Sequence, residues 1–104
     1  MRITAISAVF LALSLGPVAA ETAKEQYDYL QAKCGPTLQM SASECECIVS
    51  MAKADLSKRE LDMAVMFVKQ DQAGIAKVQS EITGQQLKNA MAFVSQAPTK
   101  CKNK

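Results

Sequence analysis

The chain has 104 residues, a net charge of +2 and no histidine. That length fits one small domain, and the near-balanced charge argues against a nucleic-acid binder, which needs a basic face. The missing histidine excludes mixed Cys/His zinc sites and any triad or general base built on imidazole.

The first 20 residues, MRITAISAVFLALSLGPVAA, read as a signal peptide: one basic residue (Arg2), an apolar run, the helix-breaking pair Gly16-Pro17, then Val18-Ala19-Ala20. Cleavage is expected after Ala20. The apolar run of about 13 residues is too short for a span, which takes roughly 20, and no later segment approaches that length. The expected product is a single helical domain, residues 21–104, with no membrane span, exported to the periplasm or secreted. A domain of this size buries too little surface to be secure without cross-links.

From Glu21 onward the apolar periodicity is helical, with no alternating runs bounded by hairpin turns. Ala23, Tyr27, Leu30 and Cys34 mark one face of a first helix over about Thr22 to Lys33, which Gly35-Pro36 is expected to end. Ser41 and Glu44 form a capping box that starts a second helix with the stripe Cys45, Ile48, Val49, Ala52 and Leu56. Two further starts resemble each other. DLSKRELDMAVMFV (Asp55 to Val68) and EITGQQLKNAMAFV (Glu81 to Val94) align without gaps at an offset of 26 residues. Ser57 with Glu60, and Thr83 with Gln86, supply the boxes; Leu56 with Leu61, and Ile82 with Leu87, supply apolar staples. Between them Ile75, Val78 and Ile82 predict a short extra helix despite Gly74. The last helix is expected to stop near Gln96, before Ala97-Pro98. The fold class is all-α, a small four-to-five-helix bundle.

Four cysteines in a short exported chain imply two disulfides. Cys45 and Cys47 lie about 200° apart around a helix, so they neither bridge each other nor converge on one metal ion. They tie the second helix to two neighbours. The preferred pairing is Cys34–Cys47 with Cys45–Cys101; the alternative is Cys34–Cys45 with Cys47–Cys101.

No residues assemble into a catalytic set or a cofactor motif, and the carboxylates are spread over polar helix faces. The expectation is a non-enzymatic protein without metal or cofactor. The blocks MAVMFV (Met63 to Val68) and AMAFV (Ala90 to Val94) are apolar around the helix and must be buried or face a partner. Met63, Met66, Phe67 and Phe93 are the candidate partner-binding residues.

In size, export and helicity the chain is similar to small disulfide-held helical periplasmic proteins of Gram-negative bacteria, a group that includes acid-stress chaperones, immunity proteins and virulence-associated factors. That resemblance implies action by contact with a protein partner or by self-association, in envelope stress or host interaction. Two alternatives remain. One is a Cu(I) carrier using Cys34, Cys45, Cys47 and Cys101, since thiolates and thioethers select that ion. The other is an acid-stress chaperone whose packing loosens as carboxylates protonate.

Overall fold

Serine or threonine hydroxyls start four of the five helices found in the described residues, 21–104, of the protein's computed structural model. The expected leader lies outside the described residues. The helices are α1 (Ala23–Leu38), α2 (Ala42–Asp55), α3 (Lys58–Lys69), α4 (Gln72–Gln79) and α5 (Gly84–Cys101). Thr22, Ser41, Ser57 and Thr83 each accept from the amide three residues on, and Glu25, Glu44, Glu60 and Gln86 close the boxes. The Thr22–Glu25 box was not among the expected starts. Asp71 caps α4, its Oδ1 accepting from the Gly74 amide at 2.9 Å. Each cap stabilises its helix by about 1 kcal/mol. The described residues contain no strand, so the all-α expectation holds.

Burial decides which apolar block is central. In α3, Leu61, Met63, Ala64 and Val65 are all at most 1% exposed. Three of them are consecutive, so the helix is enclosed on nearly every side. In α5 only Ala90, Phe93, Ala97 and Cys101 are buried, at spacings of three, four and four. That is a one-sided helix, and Met91 on its outer surface is exposed. The repeated sequence therefore produces one interior helix and one that lies against it.

Specific contacts fix the arrangement. Arg59, at the start of α3, reaches Glu81 beyond the end of α4, and Asn89 of α5 donates to Glu60 at 2.8 Å. Phe67 and Val68, at the far end of α3, lie beside Phe93 and Val94. The two helices thus run the same way, with α4 as the return path. Between α2 and α5 the order is reversed: Glu44 meets Asn103 and Cys47 meets Cys101.

The disulfides are Cys34–Cys45 and Cys47–Cys101. The pairing preferred from sequence, Cys34–Cys47 with Cys45–Cys101, is replaced by the alternative. The reason is that Cys34 is not on a loose segment. It follows Gln26 and Leu30 on the buried stripe of α1 and meets Cys45, which points into the same core. Cys47, turned to the other side of α2, is left facing α5.

Both expected proline stops are overridden. α1 continues through Pro36 to Leu38, and α5 through Pro98 to Cys101. A proline inside a helix costs about 3 kcal/mol through its missing N–H and the clash with the carbonyl four residues back. Here each has only two or three helical residues beyond it, so a kink displaces little of the helix. Cys101 is locked to Cys47, which holds the turn after Pro98. In α1 the left-handed Gln39 (φ 56°) donates its amide to the Gly35 carbonyl at 2.7 Å and closes the end.

In the chain-entropy description a cross-link stabilises more as its loop lengthens. The bridges span 54 and 11 residues. Replacing Cys47 and Cys101 by alanine should cost about 4 kcal/mol, and replacing Cys34 and Cys45 about 3 kcal/mol. Urea unfolding of the two double variants should give the lower midpoint for the first. A second expectation concerns Gly74. Glycine to alanine within a helix ordinarily gains about 1 kcal/mol, but a Cβ here would overlap the Met66 sulfur and stand 2.8 Å from Asp71 Oδ2. The Gly74→Ala protein should show a urea midpoint no higher than the parent, because the new methyl displaces the cap of α4.

Candidate functional site

The continuation of α1 and α5 past their prolines creates walls that a helix ending at Lys33 or Gln96 would not supply. Between them and the end of α3 lies an apolar groove of about 200 Å³. Its floor is buried Leu30, Cys34, Ile48, Phe93 and Ala97. Its rim is formed by Lys33, Thr37, Leu38 and Gln70, all exposed, with half-buried Phe67, Val68 and Val94 between floor and rim. A cavity of about 150 Å³ holds a benzene ring, so the groove has room for one large apolar side chain. Leu38 and Pro98 also border a second, more polar hollow of about 390 Å³, lined by Glu44, Thr99 and Lys102 among others. The two hollows share Leu38 and Pro98 as a common border.

Of the four residues expected to meet a partner, Phe67 and Phe93 line this groove. Met63 does not: it is fully enclosed with Val78 and Ala90 under α4 and offers no surface. Met66 bridges the two apolar clusters and packs close to Gly74. Leu38 and Pro98 were not anticipated, because each lies beyond the point where its helix was expected to end; Val94 belongs to the apolar block already singled out but was not named as a contact residue. Their apolar character was the available signal.

The groove is held rigidly. Cys34 in its floor is bonded to Cys45, and behind the other bridge the Met51 thioether lies 3.4 Å from Cys101 Sγ. All four cysteines are disulfide-bonded, so the sulfur atoms a Cu(I) carrier would use are joined to each other in this state. Among the described residues no three Cys, Asp or Glu side chains are placed to hold a metal.

At the polar hollow, Glu44 Oε1 accepts from the Ser41 amide at 2.7 Å and Oε2 from the Asn103 amide at 2.6 Å. These two bonds, the Ser41 one foremost, hold its carboxyl below the ordinary value. The Thr22 amide does the same for Glu25. For Glu60, burial pushes upward, but the Ser57 amide and the Asn89 side chain outweigh it and the net direction is down. Elsewhere, buried Gln26 donates to Asp62 at 2.7 Å while its Oε1 has no partner among the described residues. This polar contact between α1 and α3 lies away from the groove. A face of α1 carries Tyr29, approached by Lys33 at 6.0 Å and Lys69 at 4.9 Å.

No family model, curated protein or solved structure matches the chain.

Because Glu25, Glu44 and Glu60 hold their protons less tightly folded than unfolded, unfolding takes up protons in acid. Their stabilisation is complete above the ordinary value of 4.5 and is lost as pH falls through the lowered values. Urea midpoints should be flat with respect to these groups above about pH 5 and fall below it. In the Glu44→Gln protein the acid-side decline should be shallower.

Proposed function

We propose that the protein is a non-enzymatic binding protein of the periplasm or another oxidising compartment outside the cytoplasm, acting by contact with a protein partner. The observation that carries this reading is the groove. It is apolar, open along one rim, and walled by helices that disulfides lock in place. Rigid walls reduce the ordering cost of association, and a pocket that accepts one large side chain is the usual anchor of a protein contact. The disulfides themselves fit a non-reducing setting. Envelope stress or contact with a host is the biological context proposed.

A second reading, the acid-stress chaperone, has its own support. The carboxylates with lowered pKa values cap α1, α2 and α3, so acid weakens three helix starts together. Exposure of apolar surface near pH 3, seen as dye binding with loss of near-UV dichroism, would favour it.

The test of the groove uses a photo-crosslinking residue at Leu38, on the rim, and at Gln85, on the exposed start of α5. In living cells the first position should yield a discrete protein adduct and the second none. Val94→Asp, which places a charge in the groove, should remove the adduct while far-UV dichroism stays unchanged. Equal adducts at both positions, or an adduct that survives Val94→Asp, would sink the reading.

A further inference from the structure

Of the residues lining the groove only Lys33 is charged; the segments of α1, α3 and α5 around it add further lysines, while α2, which supplies Ile48, carries Glu44 and Glu46. Residues 30–40 of α1 and its end, 67–70 of α3, and 93–104 of α5 and the tail contain Lys33, Lys69, Lys100, Lys102 and Lys104, and no aspartate or glutamate. Across residues 21–104 as a whole the balance is 11 basic to 10 acidic. The excess around the groove is therefore a matter of placement, not of composition.

Two of these lysines already have acidic neighbours. Lys69 pairs with Glu21 at 3.1 Å, and Lys102 lies close enough to Glu44 to lower its pKa. Lys33, Lys100 and Lys104 enter no ion pair among the described residues. Lys33 stands on the groove's rim, with Tyr29 as its neighbour instead of a carboxylate. At the other end, the Lys100–Lys104 stretch follows directly on groove-lining Ala97 and Pro98. An apolar hollow thus has one unpaired cation on its rim and two more, Lys100 and Lys104, in the stretch that follows its α5 wall.

We infer that the groove takes an acidic amphipathic segment of another protein, one large apolar side chain entering the hollow and flanking carboxylates meeting Lys33 and Lys100. This rests on the reading of the groove as a protein-binding site. The concave shape decides between a polypeptide and an anionic membrane. A hollow with room for one side chain receives an inserted residue, whereas a membrane-binding face presents apolar residues outward. Exposed ion pairs contribute little singly, so a few of them acting together amount to a preference of about tenfold, or about 1.4 kcal/mol. That preference must weaken with salt, since the Debye length falls to about 3 Å at 1 M.

The experiment titrates the oxidised, exported protein with two fluorescent helical peptides that share a Leu/Phe face. One carries glutamates on its polar face and the other lysines. Phosphatidylglycerol vesicles form a third arm. The acidic peptide should bind about tenfold more tightly than its lysine counterpart, and the margin should shrink at high salt. The double variant Lys33→Glu, Lys100→Glu alters only surface positions and should abolish or invert it. Equal affinity for both peptides would overturn the acidic partner while leaving the groove reading intact. Binding of neither peptide, or binding unaffected by Val94→Asp, would overturn both. Vesicle binding without peptide binding would overturn the polypeptide in favour of a lipid surface.

Discussion

Everything in this fold hangs on the angular separation of Cys45 and Cys47 around α2. Two residues advance a helix by about 200°, so one sulfur faces α1 and the other α5. A single helix thereby acts as the post to which both ends of the domain are bolted. Without it α1 would touch the rest through an apolar strip, the Gln26–Asp62 bond and the lysines over Tyr27 and Tyr29. With it, α1 and α5 become fixed walls, and the space between them has a defined width. The groove is a by-product of that bracing.

The start signals in the sequence were reliable and the stop signals were not, for a physical reason. A capping box is a local device: Ser41 needs only Glu44 to satisfy the first amides, whatever the rest of the chain does. A helix end at proline is a competition between a local cost and distant gains. At Pro98 the gain is Cys101, which reaches full burial only if one more turn is added. At Pro36 the left-handed Gln39 supplies the end that glycine was expected to give. The disulfide partners were misjudged for a related cause, since the first and last helices were expected to end at Lys33 and near Gln96 but run on through Cys34 and Cys101.

The near-repeat in α3 and α5 shows where pattern reading runs out. Phe67 and Phe93 occupy equivalent positions, as do Leu61 and Leu87, yet Phe93 and Leu61 are buried while Phe67 and Leu87 are only partly so. Which copy becomes the interior helix depends on what covers it: α1, α4 and α5 pack on α3, whereas α5 has chiefly α2 and α3 against it. The groove draws on four helices, and no window of sequence contains it. That Lys33 stands on its rim is legible only once those segments are known to meet.

The unequal reach of the two cross-links bears on the order in which they can close. Cys34 meets two thiols almost together, at separations of 11 and 13 residues, whereas the partner of Cys47 lies 54 residues on. In an extended chain nothing separates the correct early partner from the wrong one. Once α2 is helical, Cys47 is turned away and only Cys45 is presented. The Ser41–Glu44 box, directly ahead of both cysteines, therefore does more than hold a helix end. With that first turn ordered, Cys45 and not Cys47 is turned toward Cys34.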